Sequence, residues 1–220
     1  MEKVITIEKA IEKVKDGMTI MIGGFGGVGN PPALCNALVA KGVKDLTVIA
    51  NDSAFPDVGI GKLIMNRQVK KLIASHVGTN PETGRQMIAG EIEVDLVPQG
   101  TLAERIRCGG FGLGGFLTPT GVGTIVEEGK QRLVLNGKNY LLELPLRAEI
   151  ALLSADKADK DGNLVFRRTM RNFNPIMAFS ADIVIAEARK IVEVGEIDPD
   201  EVMVPGVVVD YLIHCKGGKA

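Results

Sequence analysis

The 220-residue chain carries 26 Lys and Arg against 27 Asp and Glu, a formal net charge of −1, so no basic field draws it to nucleic acid or to an anionic membrane. Its length suffices for one large domain, which buries about 70% of the surface its unfolded chain exposes and needs neither disulfide nor metal to fold. Cys35, Cys108 and Cys215 are odd in number and widely spaced, a pattern that fits neither a disulfide framework nor a zinc site and points to a reducing cytoplasm. The opening stretch MEKVITIEKAIEKVKDG lacks the parts of a secretory signal, and no apolar run reaches membrane-spanning length. The 27 glycines form no low-complexity tract, which places them at particular turns.

Ile7, Ala10, Ile11 and Val14 recur at helical spacing behind Thr6, a candidate N-cap, and predict an amphipathic helix ending at Asp16-Gly17. Short apolar runs follow at Thr19 to Ile22, Leu46 to Ala50, Leu72 to Ala74, Val94 to Val97, Ile150 to Leu153 and Ile183 to Ala186. Runs this uniformly apolar are expected as strands buried on both faces. Helical patterns after Pro31, around Leu63 and from Leu102 to Arg107 alternate with them. The fold expected is therefore an open α/β sheet, largely parallel and flanked by helices. Between Arg132 and Leu144, Asn136-Gly137 sits between two apolar stretches and predicts an inserted β-hairpin. With no repeat and no linker, residues 1–220 read as one domain.

Ligands of open α/β sheets gather beyond the carboxyl ends of the strands. Four such positions carry unusual residues. Thr19 to Ile22 runs into Gly23 to Asn30, and Pro31-Pro32 then opens a helix; the segment is either an anion cradle or a tight turn that packs strand on helix. Asn51-Asp52-Ser53, Ser75-His76 and Gln99-Gly100 follow three further strands. Each alone reads as a turn or cap residue, and their recurrence on one sheet edge favours a site. His76 and His214 receive no catalytic role. The five glycines within Gly109 to Gly115 suggest a loop that closes over substrate or runs under a neighbour. Arg167, Arg168 and Arg171 form either a phosphate contact or a solvated face. Asp159, Asp161 and Asn163 lack the spacing of a calcium loop and read as a turn.

Asp16-Gly17, three apolar residues at Ile20 to Ile22, Gly23-Gly24-Phe25, Gly29 and Pro31 together resemble the first signature of the family I CoA transferases. The likeness continues through ANDSAF, SHVGTNPETGRQMIAGEIEVDLVPQGTLAERIRCGG, GFLTPTGVGTIVEEGK and RNFNP, nearly the whole chain. It is closest to the alpha subunit of the acetate/acetoacetate type, which works with a beta subunit as an α2β2 complex. The resemblance implies CoA binding at Gly24, Phe25, Gly26, Gly27, Val28, Gly29 and Asn30, and acid-substrate binding at Asn51 and Gln99. Related ketoacid transferases carry Asn-Asn where this chain has Asn51-Asp52, which leaves the part played by Asp52 open.

The chemistry implied is a ping-pong exchange of CoA between acyl-CoA and short-chain carboxylic acids such as acetate, acetoacetate and butyrate. Coenzyme A is a substrate, no tightly bound cofactor or metal is implied, and a glutamate acts as nucleophile. In the family that glutamate belongs to the beta half. Glu91, Glu104, Glu127 and Glu128 lie near glycines here, but none stands in its setting. The alternatives for such a fold are a sugar-phosphate-sensing domain and a phosphosugar isomerase.

Overall fold

The computed structural model describes residues 2–215. In chain order its helices are α1 Ile7–Ile11, α2 Pro32–Lys41, α3 Ile60–Met65, α4 Pro81–Ile88, α5 Gln99–Gly110 and α6 Asn174–Met177. Its strands are β1 Thr19–Ile22, β2 Leu46–Ile49, β3 Val69–Ala74, β4 Glu93–Leu96, β5 Phe116–Thr118, β6 Arg132–Leu135, β7 Lys138–Glu143, β8 Ala148–Asp159, β9 Leu164–Val165, β10 Ala181–Val192 and β11 Tyr211–His214. Seven strands form the parallel order β11-β10-β8-β1-β2-β3-β4, and β9 adds an antiparallel pairing to β8. The open α/β sheet expected from the sequence is present.

The two sheet faces are covered by different helices, because side chains alternate along a strand. Ile20 and Ile22 join Ala10, Leu34, Leu38 and Leu63 in one core, while Met21 joins Leu102, Ile106, Phe166 and Met177 in the other. At roughly 25 cal/mol per Å² of apolar surface removed from water, these two layers are the main stabilising term.

Four departures from the sequence reading have physical causes. Helix α1 stops at Ile11, short of Asp16-Gly17, because Lys41 Nζ takes the carbonyls of Ile11, Glu12 and Val14 at 2.9, 3.5 and 2.5 Å. Strand β4 is not buried on both faces; it is the sheet's edge, and Leu96 is 48% exposed. Strands β8 and β10 run for 12 residues each, paired from Ala148↔Ala181 to Asp159↔Val192. Their charged second halves hid that length from an apolar pattern. The predicted hairpin is β6–β7, with Asn136 and Gly137 at φ 50° and 73°, the left-handed pair that a two-residue turn requires. It gains a third strand, β5, and the small sheet is fastened to α5 by Arg105, 3.9 Å from the buried Glu143, which also pairs with Lys130 at 2.6 Å.

Strand order reverses at β1: the chain moves outward through β2, β3 and β4, then returns to place β8 on β1's other side. That switch point opens a crevice beyond the carboxyl ends of β1 and β8. The glycine loop stands at its mouth.

Candidate active site

Strand β1 ends at Ile22 and the chain turns back on itself. Phe25 and Val28 exchange backbone hydrogen bonds at 3.0 and 2.9 Å, closing a two-residue turn at Gly26 and Gly27 with φ 54° and 91°. Positive φ at both positions favours glycine. Asn174 fixes the base of the loop. Its Nδ2 donates to Gly29 O (3.0 Å) and Met170 O (3.1 Å), and its Oδ1 accepts from Ser154 N–H (3.0 Å). A Cβ on Gly23 would lie 1.9 Å from that Oδ1. The RNFNP segment is therefore the strap that binds the loop to β8. The buried Asn30 also holds the base, its Nδ2 donating to Gly23 O.

An anion cradle needs backbone N–H groups aimed at the ligand. Phe25, Gly26 and Val28 spend theirs within the protein, and Gly26 N–H goes to Asp52 Oδ2 at 2.8 Å. Phe25 and Val28 instead project side chains that are 53% and 50% exposed. The loop is built as a tight turn with an apolar tip.

Asp52, whose part the sequence leaves open, is the joint between the loop and the polar cluster. Besides Gly26, its carboxylate accepts from Ala54 N–H (2.7 Å) and from Asn51 Nδ2 (2.7 Å). With Asn51's amide nitrogen held there, its Oδ1 accepts from Gln99 Nε2 at 2.7 Å and from Ser75 Oγ at 3.4 Å. Asn51 and Asp52 are buried while Gln99 is exposed, so one amide of the pair is fixed and the other faces outward. Gln99 keeps a second N–H and a carbonyl oxygen for a ligand. The structure brings Asn51, Asp52, Ser75 and Gln99 together with the loop, as the common sheet edge predicts.

Other candidates fall elsewhere. Glu91 pairs with Arg67 and Arg85, Glu104 with Arg107, and Glu127 with Arg132; Glu128 lines a hollow beside the small sheet. Gly109 and Gly110 lie in α5, where a Cβ would lie 2.0 Å from Leu146 O and 2.7 Å from Phe179 Cβ. Those two glycines serve close packing rather than closure. Asp159 accepts from Asn163 N–H (2.9 Å) and Nδ2 (2.7 Å) across the β8–β9 turn. His76 is exposed at the end of β3, and His214 lies in a separate surface hollow. Arg167 and Arg168 line a hollow that reaches Val28 of the loop.

One residue that sequence reasoning missed lies on the loop's far side. Glu187 of β10 is 1% exposed, its Oε2 accepting from Leu34 N–H (3.0 Å) in the first turn of α2. Burial pushes its carboxyl above the usual range, against the opposing hydrogen bonds of Cys215, Leu34 and Ala33. Its position just beyond the apolar run Ile183 to Ala186 was the available signal.

The fold is that of an α/β protein of the doubly wound kind, with a hydrogen-bonded polar cluster beyond the carboxyl ends of β2, β3 and β4. The sequence profile described as Coenzyme A transferase matches residues 4–214, and the chain belongs to that family, as an alpha-type subunit. It is 60% identical over 217 residues to the acetate CoA-transferase subunit alpha of Escherichia coli (strain K12), covering 99% of each chain. It is 51% identical over 211 residues to the acetoacetyl-CoA:acetate/butyrate CoA transferase alpha subunit of Clostridium acetobutylicum, 96% of this chain and 97% of that one. Among solved structures, an acyl-CoA transferase from E. coli O157:H7 in a thioester complex with CoA superposes with TM-score 0.89 at 23% identity. That match covers 97% of this chain and 47% of the other, so the chain spans about half the length of that transferase. Glutaconate coenzyme A-transferase from Acidaminococcus fermentans superposes with TM-score 0.84 at 21% identity, over 96% and 75% of the two chains. Both structures speak for the fold.

Proposed function

We propose that this chain, one functional domain over residues 1–220, works with a beta subunit as an α2β2 complex to exchange CoA between short-chain acyl-CoA and carboxylic acids. Acetate, acetoacetate and butyrate are the acids that its relatives' names favour. The two free and buried cysteines Cys35 and Cys108 suit a reducing cytoplasm. The observation that carries the reading is the Gln99–Asn51 hydrogen bond of 2.7 Å at the carboxyl edge of the sheet. It presents a fixed amide to an acyl group held beside the apolar loop tip.

The exchange runs as follows. A glutamate of the beta subunit attacks the thioester carbonyl, giving an acyl-glutamyl anhydride and CoA thiolate. The thiolate then attacks the glutamyl carbonyl, releasing the first acid and leaving a glutamyl-CoA thioester. A second acid reverses the sequence and departs as its acyl-CoA. Gln99 Nε2 donates its second N–H to the oxygen on which charge develops, and Asn51 keeps Gln99 in register. Residues 24–30, anchored by Asp52 and Asn174, form the wall along which CoA lies.

The test is reconstitution. The purified chain should not exchange CoA, adding the beta subunit should restore exchange, and hydroxylamine or borohydride trapping should label a glutamate on that partner. Turnover by this chain alone, or trapping on Glu127 or Glu128, refutes this division of labour.

A further inference from the structure

The polar groups beside Gln99 are amides and hydroxyls with one exception, the carboxyl of Asp52. It lies just beyond β2, next to Asn51, and is 7% exposed. Its two oxygens meet three donors and no acceptor: Oδ2 takes Gly26 N–H at 2.8 Å and Asn51 Nδ2 at 2.7 Å, and Oδ1 takes Ala54 N–H at 2.7 Å. A protonated carboxyl has an O–H to donate, whereas an ionised one only accepts, so this set of partners suits the charged form. Among the described residues no Lys or Arg forms an ion pair with it. His76, joined to it by a backbone bridge, keeps an exposed side chain. A negative charge therefore sits at the back of the site with no cation paired to it.

That charge stands close to the acyl position. From Asp52 Oδ2 the path runs through the Asn51 amide to Gln99 Nε2 over two hydrogen bonds of 2.7 Å each, which places the carboxylate at most about 8 Å from the Gln99 nitrogen. The loop tip beside it adds Phe25 and Val28, both apolar and about half exposed. An uncharged acyl chain meets amides, the Ser75 hydroxyl and this apolar tip. A chain ending in a second carboxylate meets the same groups, repulsion from Asp52, and no cation in the cluster to offset it. A like charge at that distance in a partly buried site weakens binding by about 10- to 100-fold.

We propose that Asp52 is a specificity-determining residue, whose buried charge excludes acyl groups carrying a second carboxylate and reserves the site for acyl groups with an uncharged chain. Discrimination is built from repulsion of the wrong substrate as much as from fit to the right one. The same carboxylate braces Asn51 for Gln99, so one residue both aligns the amide pair and filters what reaches it. An oxo group on the chain brings no charge and passes; the terminal carboxylate of a dicarboxylic acid does not. The inference rests on the CoA-exchange reading above and deepens it by naming which acyl groups that site accepts.

The experiment uses the reconstituted alpha–beta complex with acetate as acceptor and three donors: butyryl-CoA, succinyl-CoA and the CoA thioester of monomethyl succinate. Butyryl and succinyl chains have equal carbon number and differ by a carboxylate in place of a methyl group. The ester keeps the added bulk and oxygens of succinyl and removes the charge. In the parent, kcat/KM for succinyl-CoA should lie about 10- to 100-fold below that for the ester. Asp52→Asn should bring the two within about threefold of each other. All three rates should fall in that variant, because an amide cannot accept at both of its ends, but the ratio reads charge and not the general loss.

A role for Asp52 in structure alone lowers the three thioesters together and leaves the ester-to-succinyl ratio at its parental value, which overturns the proposal. A parent that uses succinyl-CoA as readily as the ester overturns it too. So does a parent that rejects ester and succinyl-CoA alike while using butyryl-CoA, since size then decides. Where Asp52→Asn does not assemble, Asp52→Ser, also uncharged and able to accept from an N–H, is read by the same ratio. Should neither assemble, the parent's preference between ester and succinyl-CoA decides alone. A complex that exchanges butyryl-CoA and loses kcat on Gln99→Ala, yet shows no such preference, keeps the exchange reading and refutes the filter. A complex with no CoA exchange at all refutes both.

Discussion

The two sides of the glycine loop differ in how their polar groups are satisfied. On the Asn51 side Asp52 accepts three hydrogen bonds at 2.7 to 2.8 Å, Asn51 passes the order on, and Gln99 is aligned before any ligand arrives. On the Glu187 side a buried carboxyl accepts from Leu34 N–H at 3.0 Å and is bonded by Cys215 and Ala33 as well, yet burial still raises its pKa. Preorganised donors suit charge that develops during reaction, since they need no rearrangement at that moment. A carboxyl whose burial outweighs its hydrogen bonds is instead biased toward its neutral form. One loop thus separates a fully hydrogen-bonded polar cluster from a buried carboxyl whose burial outweighs its hydrogen bonds.

The sharpest way to break that contrast is at Gln99. Gln99→Ala should lower kcat by about 10²–10³ in the reconstituted complex, the scale for losing one donor to a developing oxyanion. Steady-state kinetics with the complex shown intact by size measures it. Unchanged kcat would remove Gln99 from the reacting centre and leave the polar side without a chemical role.

Asp52→Ala attacks the same side one step back. Gly26 and Ala54 would lose their acceptor and Asn51 its brace, costing about 1–3 kcal/mol of stability for each group left buried without a partner. Chemical denaturation measures that, and kcat should fall with it, by about tenfold, as Gln99 loses its register. A stable variant with full kcat would mean that Gln99 is aligned by something other than this chain of bonds.

The loop tip tests whether the divider itself matters. Gly26 and Gly27 share one turn at positive φ, and the structure separates what each would tolerate. At Gly27 a Cβ would lie 2.6 Å from Val58 Cγ1 at φ 91°, whereas at Gly26 nothing lies within 4 Å and φ is 54°. Gly27→Val should cost about 2–3 kcal/mol from clash and strain together. Gly26→Asn should cost under about 1 kcal/mol, because asparagine visits the left-handed region readily. Equal losses at both positions, read from thermal melts, would contradict this geometry.

How much of this was legible in the sequence follows from what each pattern encodes. The central strands and the Asn136-Gly137 hairpin came through because apolar runs and φ-positive turn residues report local conformation directly. Asn51 and Gln99 stood out by position, each just beyond a strand, and the family resemblance singled them out. Long strands β8 and β10 read as short because Asp156, Lys157, Glu187, Arg189 and Lys190 interrupt the apolar run in their second halves. Asp52 and Asn174 bond across 26 and 145 residues respectively. No local spacing carries such a contact. Glu187 was hidden for the same reason, its partner Leu34 lying 153 residues away.

The smallest expected effect concerns stability on the Glu187 side and carries a definite sign with pH. Burial raises the pKa of Glu187 in the folded chain above its unfolded value. A group shifted that way contributes most below the unfolded pKa, near the ordinary glutamate value of about 4.3, and its contribution is lost as pH rises through the folded pKa. Glu187→Gln keeps an acceptor for Leu34 N–H and has no charge to desolvate, so it should melt higher than the parent at pH 7. The advantage should shrink on acidification from pH 7, because the raised pKa makes the parent carboxyl protonate, and so become neutral, ahead of a free glutamate. Differential scanning calorimetry of both chains in the assembled complex across that range reads the difference. An advantage that grows on acidification, or a variant less stable at pH 7, would mean that the carboxylate is net stabilised by the α2 terminus, and the two sides of the loop would then differ less than their hydrogen bonding implies.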